Sequence, residues 1–159
     1  MSTVEIVPAG PDDGEILLAL IDALADYERL PRPAPDARRR LIADAFAARP
    51  RFEAYLARVA GTAVGYAIVF ETYSTFLAQP TLYLEDLFVV SEQRGRGAGR
   101  ALFLHCVREA VRRGCGRMEW SVLDWNTPAL GFYERLGARR LPEWQPFRLL
   151  RSEMERLLG

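Results

Sequence analysis

Residues 81–100 read TLYLEDLFVVSEQRGRGAGR. An apolar run rich in β-formers and carrying two adjacent acids, Glu85 and Asp86, passes into a loop with glycine at 95, 97 and 99 and arginine at 94, 96 and 100. Glycine clustered in this way lets the backbone bend sharply or approach something closely, and the surrounding arginines mark that something as anionic. The dinucleotide fingerprint G-x-G-x-x-G is not met, because Gly95 and Gly97 are followed at the third position by Arg100, and Gly97 and Gly99 by Leu102. What remains is R-G-x-G-x-G between a strand and a helix. It converges several backbone N–H groups and a helix N-terminus on one point, which suits a pyrophosphate; a plain strand-to-helix turn is the alternative. Strand alternation sends Glu85 and Asp86 to opposite faces, so at least one acid calls for a role, either in catalysis or as a strand-end residue paired with arginine.

Outward from this stretch, Val4 to Val7 reads as a short strand ended by Pro8. Asp12 or Asp13 caps a helix whose Ile16, Leu17, Leu20, Ile21 and Leu24 form one stripe running up to Tyr27 and Glu28. PRPAP at 31–35 breaks the chain before a second helix from Asp36 to Ala48. EAYLARVAGTAVGYAIVF at 53–70 and the run from Thr81 make a three-stranded meander, with a turn at Gly61 and a longer loop through Tyr73 to Pro80. A helix from about Ala98 to Arg113, a strand RMEWSVL at 117–123, a short helix begun by Asn126 and Pro128 and ended by Gly137, and a last strand over Phe147 to Leu150 complete the expectation. No linker or repeat interrupts it, so 1–159 reads as a single domain.

Composition narrows the chemistry. The 21 basic residues balance the 21 acidic ones, which leaves no field to suggest a nucleic-acid or membrane binder. Lysine is absent, which removes the P-loop, Schiff-base and kinase-strand lysines together. One histidine, His105, and two cysteines, Cys106 and Cys115, cannot make a His/Cys zinc cluster, and no metal site is expected. His105 reads as a surface residue, Cys106 as a buried thiol, Arg38 to Arg40 as a solvated helix face, and Trp120, Trp125 and Trp144 as core or interface aromatics. With no leader-like N-terminus and no run approaching a membrane span, a cytoplasmic protein with free thiols is expected.

Val89, Arg94, Gly95, Gly97 and Gly99, followed by NTPALGFYERLGA at 126–138, resemble the coenzyme A motif and the downstream helix motif of the GCN5-related N-acetyltransferases (GNAT). The order of elements is also that family's. TLYLEDLFV, D-W-N-x-P and the Tyr27–Glu28 pair are most similar to its diamine branch, which includes spermidine/spermine and thialysine acetyltransferases. The resemblance implies an α/β (α+β) fold: a mixed, mostly antiparallel twisted sheet of six to seven strands, splayed at its centre and flanked by about four helices. It implies acetyl-coenzyme A as donor, held by Leu87, Phe88, Val89, Arg94, Gly95, Arg96, Gly97, Ala98, Gly99 and Arg100, with Asn126 fixing the pantetheine arm. It also implies Glu85 as general base, directly or through water, Tyr133 beside the coenzyme sulfur as general acid, and an oxyanion held by a backbone N–H near Leu87 or Val89.

Tyr27, Glu28, Glu85 and Asp86 would line the pocket of a small-molecule amine, and the branch is homodimeric. Arg29 and Arg32 sit where binders of long polyamines carry more acids, so a short diamine or an amino acid with a side-chain amine fits at least as well as a polyamine. Two alternatives are a non-catalytic acyl-coenzyme A binding module, for which Glu85 and Tyr133 have no use, and an N-terminal protein acetyltransferase.

Overall fold

In the computed structural model, which describes residues 3–159, the central β-rich runs form the expected meander. β1 (Val4–Pro8), β2 (Glu53–Val59), β3 (Thr62–Ser74), β4 (Gln79–Val89) and β5 (Arg117–Glu119) make one sheet in the order β1-β2-β3-β4-β5. The first four are antiparallel neighbours, and β5 lies parallel to β4. Five helices accompany them: α1 (Gly14–Glu28), α2 (Pro35–Ala45), α3 (Ala98–Arg112), α4 (Thr127–Arg135) and α5 (Arg151–Leu158). The chain divides into one compact unit that runs through Ser121 and a second, Val122–Gly159, which holds α4 and α5.

Each of two helices covers one face of the sheet. Leu17, Leu20 and Ile21 of α1 pack with Leu56, Tyr66, Ile68 and Phe88 in a single buried cluster. Phe88 joins that cluster while its neighbour Val89 meets Gly99 of α3, so strand alternation gives α1 and α3 opposite faces. On the α3 side Leu102, Phe103, Cys106 and Ala110 are buried. Each fully buried leucine contributes about 1.5–3 kcal/mol, and Leu17, Leu56, Leu82 and Leu102 all have no exposed surface.

Several expectations change. β5 stops at Glu119 instead of running to Leu123, and Phe147 to Leu150 is not a strand. Phe147 is 97% exposed, and β-favouring residues without a ladder to join stay irregular. The sheet therefore has five strands among the described residues, not six or seven. The fifth helix, α5, was not legible as one: Glu153 accepts the Leu150 backbone N–H at 2.7 Å and Arg151 pairs with Glu155 one turn on. Asp13 precedes α1 as expected, but its carboxylate takes the Gly10 N–H and Arg58 of β2, both within 2.8 Å, instead of a helix N–H. Arg38 leaves the solvated face assigned to it and pairs with Asp22 at 2.7 Å, tying α2 to α1.

Two irregularities in the sheet position the functional residues. Ile68 pairs with Asp86 and Val69 with Leu84, so Glu85 is an extra residue on β4, a β-bulge. β5 accompanies β4 only over Thr81–Tyr83, so from Leu84 to Val89 one edge of β4 has no strand beside it among the described residues. Near the end of that stretch β3 and β4 come unusually close at Gly65, where an added Cβ would lie 2.5 Å from the Phe88 carbonyl oxygen. Gly65→Ala is therefore expected to destabilise the protein by about 1–3 kcal/mol, the typical cost of overpacking. Equilibrium denaturation measures it, and an unchanged midpoint would contradict the close approach.

Candidate active site

The glycine loop is built for an anion. Gly95 and Gly97 adopt φ of 73° and 90°, which side-chain-bearing residues rarely take, and a Cβ at either would meet nothing within 4 Å. Backbone conformation, not crowding, therefore demands glycine here. Gly97 is the N-cap of α3, so the N–H groups of Ala98, Gly99 and Arg100 open the helix without intrahelical acceptors, at the positive end of its dipole. Arg96 and Arg100 flank them, exposed. This donor set fits a pyrophosphate.

Arg94 is used differently from its neighbours. Its Nε donates to the Val89 carbonyl at 2.8 Å, and its guanidinium carbon lies 4.5 Å from the Tyr27 ring centroid and 5.3 Å from that of Phe88. It fastens the loop to the end of β4 and to α1. Leu87 and Val89 belong to the segment of β4 whose second edge is open, a row of backbone groups that an extended ligand arm can join as an added strand. The splayed sheet implied by the resemblance is thus present.

Beside that edge lies a group of acids. The bulge overrides the simple alternation expected for Glu85 and Asp86: Leu84 pairs with Val69 and Asp86 with Ile68, which face opposite sides, so the sidedness of β4 switches across Glu85. Asp86 thereby shares the α1 face with Tyr66 and Phe88, and the Tyr66 hydroxyl donates to its Oδ2 at 3.0 Å. Burial pushes the Asp86 carboxyl up to about 6; the Tyr66 hydrogen bond opposes the rise, and the charges of Glu85 and Glu28 add to it. Burial likewise raises Glu28. Glu85 itself is exposed. Tyr27 completes the group, 6.3 Å from Phe88 between ring centroids.

None of the ion pairs among the described residues includes Glu28, Glu85 or Asp86, in a chain with 21 arginines. Tyr66 was not singled out in the sequence. Its only signal is a hydroxyl-bearing ring in the apolar run VGYAIV, on a strand adjacent to the one with two acids.

Asn126 and Tyr133 belong to the second unit. Asn126 is the N-cap of α4, its Oδ1 accepting the Ala129 N–H at 3.3 Å, with Pro128 in the first turn. Tyr133, partly buried, meets Phe132 edge-on at 5.1 Å, and its carbonyl accepts the N–H groups of Leu136 and Ala138 where the helix ends. Trp144, expected as a core or interface aromatic, is 70% exposed.

His105 is not the surface residue its neighbours suggested. Its ring packs against Tyr55 at 4.3 Å, and burial lowers its proton affinity. Both cysteines are free; burial pushes the Cys106 thiol up to about 12 and raises Cys115, so neither is poised as a nucleophile. No cluster of possible metal ligands occurs among the described residues.

Comparison with known proteins identifies a family and relatives. The profile of the Acetyltransferase (GNAT) family matches residues 17–138. The thialysine N-epsilon-acetyltransferase of Sus scrofa is 34% identical over 170 aligned residues, covering 100% of this chain and 99% of that protein. The L-ornithine N5-acetyltransferase NATA1 of Arabidopsis thaliana is 41% identical over 85 residues, 54% of this chain and 37% of that protein. Among solved structures, an integron cassette protein from the mobile metagenome of V. cholerae superposes with a TM-score of 0.82 at 24% identity, covering 99% and 98% of the two chains.

The raised Asp86 carboxyl has a consequence for stability. Between its ordinary 3.8 and about 6 the folded protein holds a proton that the unfolded chain has released, so stability falls as pH rises through this window, and the full cost is present above it. At about 1.36 kcal/mol per unit, Asp86→Asn should stabilise the protein by up to ~3 kcal/mol at pH 7.5, with the gain shrinking to nothing near pH 4. Denaturant titrations at the two pH values check this; equal stability of both proteins at pH 7.5 would be the contrary result.

Proposed function

Because the chain belongs to the GNAT family of acetyltransferases, we propose that it transfers the acetyl group of acetyl-coenzyme A to a primary amine of a small molecule, a short diamine or an amino acid bearing a side-chain amine. One observation carries this reading: the charges of Glu28 and Glu85 bear on Asp86 where β4 loses its second neighbour, and none of the three has an arginine partner among the described residues. Elsewhere the chain pairs its acids readily, as in Arg58–Asp13 and Arg113–Glu109. A cationic acceptor supplies the missing charge.

The donor, when bound, supplies a thioester carbonyl. The loop N–H groups from Gly95 to Arg100, with Arg96 and Arg100, hold its phosphates; the open edge at Leu87–Val89 and the Asn126 side chain hold its arm. Phe88 sits behind that edge and Arg94 keys the loop to it. The Glu85–Asp86 pair takes the proton of the acceptor ammonium, Glu85 from the exposed bulge and Asp86 from within. The Tyr133 hydroxyl returns a proton to the departing sulfur.

Two relatives favour amino-acid acceptors, since their names specify thialysine and ornithine side-chain nitrogens. Arg32, which weighs against a long polyamine, is paired with Asp26 through two hydrogen bonds of 2.9 and 2.6 Å. The family match runs across both compact units, which supports one acetyltransferase domain spanning the chain. Two free thiols, and no helix among the described residues long and apolar enough to cross a membrane, fit the cytoplasm. Exposed Trp144, Phe147, Leu157 and Leu158 in the second unit support a homodimer. Sedimentation at micromolar concentration should return twice the chain mass of 18.0 kDa; the monomer mass would refute the dimer.

Incubation with acetyl-coenzyme A and a panel of ornithine, thialysine, lysine, short diamines and spermidine, followed by thiol release, tests the activity. Short diamines or the amino acids should react and spermidine should lag; silence across the panel would leave only donor binding. Tyr133→Phe and Glu85→Gln should each lower turnover by about 10²- to 10⁴-fold with donor affinity retained. Wild-type rates in either variant would remove that residue from the mechanism.

A further inference from the structure

Tyr66 is fully buried on β3 among Leu17, Leu20, Ile21, Leu56, Ile68 and Phe88. A phenylalanine would fill that space without a polar atom to satisfy, and a hydroxyl in an apolar core is costly unless it finds a partner. The partner is Asp86, twenty residues away, and the two meet only because the extra residue at Glu85 switches the sidedness of β4. We infer that Tyr66 is a positioning residue for acetyl transfer: its hydroxyl pins one carboxylate oxygen of Asp86, leaving the other to take the proton of the acceptor ammonium. This rests on the reading of the acidic group as the amine site.

The surroundings of the pair support that division of labour. Glu28 and Tyr27 face it from α1, Glu85 from β4, and Arg94 covers the neighbouring Phe88 ring while its Nε is taken by the Val89 carbonyl. No arginine pairs with Asp86 among the described residues, so the Tyr66 hydroxyl is its one hydrogen-bond donor there. Burial and the charge of Asp86 push Tyr66 ionisation far up, so the phenol keeps its proton and donates throughout the working range. Asp86 is held at a proton affinity between those of an ordinary carboxylate and an amine, with Tyr66 restraining the rise that burial and the neighbouring acids drive. The balance is simple. The ammonium gives one proton to Asp86 Oδ1, leaving a neutral amine with its lone pair for attack and a neutral carboxyl, which returns the proton to water before the next turnover.

The test compares wild type, Tyr66→Phe and Asp86→Asn, using the amine of the panel with the fastest thiol release and saturating acetyl-coenzyme A from pH 5 to 9. Removing the hydroxyl removes the interaction that lowers Asp86, so the acidic limb of kcat/KM should move upward by about one pH unit in Tyr66→Phe, with the plateau at high pH changed less. Asp86→Asn should lose that limb and lower kcat, while calorimetric affinity for coenzyme A stays within about twofold in both. A Tyr66→Phe profile that superposes on wild type after scaling would overturn the inference, because a purely structural hydroxyl alters amounts and rates without moving the limb. A carboxyl carbon NMR titration of Asp86 in the wild-type chain provides an arm independent of variant folding. A midpoint near 6 that falls in Glu28→Gln supports the arrangement, and a midpoint below about 4.5 overturns it. Wild-type protein that releases no thiol with any amine, yet titrates at Asp86 near 6, defeats the amine-site reading and the inference with it.

Discussion

The parting of β5 from β4 after Tyr83 is the constraint on which the rest of the molecule depends. A strand in the middle of a sheet ordinarily spends both edges on neighbours. Here β4 keeps β3 as a neighbour along its length and β5 for three residues only, so six residues, Leu84 to Val89, have no strand beside them on one side among the described residues. An open edge of this kind recruits any extended chain, and the glycine loop that follows limits what is recruited to something ending in an anion. The bulge at Glu85 begins two residues after β5 departs, where extra twist is least resisted. The departure of β5 opens the edge, and the bulge turns Asp86 toward Tyr66.

The distribution of arginine shows what this arrangement costs. Arg113, at the end of α3, is bonded to Glu53 of β2 and Glu109 of its own helix and reaches Glu71 of β3 at 3.5 Å, with the Tyr55 hydroxyl at 3.3 Å. Arg58 joins β2 to Asp13 ahead of α1, and Arg38 joins α2 to α1. These partly buried clamps tie α3 to β2 and β3, β2 to the start of α1, and α2 to α1. Glu28, Glu85 and Asp86 are left without a guanidinium partner among the described residues, and Asp86 is pushed into a protonation range that disfavours the folded state at neutral pH. The apolar contacts of Leu17, Leu56, Tyr66 and Phe88 in the adjoining core offset that penalty.

Residue types alone determined the features that depend on local backbone conformation. Gly95 and Gly97 were readable because few other residues take their φ values, Asn126 with Pro128 because a helix start needs an acceptor and tolerates a missing donor, and the meander because its apolar runs end at turn residues. With Tyr133 and Gly137 at matching spacing, these were enough to reach the family. Tertiary structure alone decided which of two adjacent acids is turned toward the core, because a bulge depends on the register between β3 and β4 and no residue type at 84–86 announces it. It also decided that Tyr66 and Asp86 share a hydrogen bond, that His105 rests on Tyr55, and that Phe147 to Leu150 forms no strand. The physical reason is the same in each case. A φ angle or a cap is a property of a residue and its immediate neighbours, whereas desolvation and strand pairing are conferred by residues brought together from distant parts of the chain.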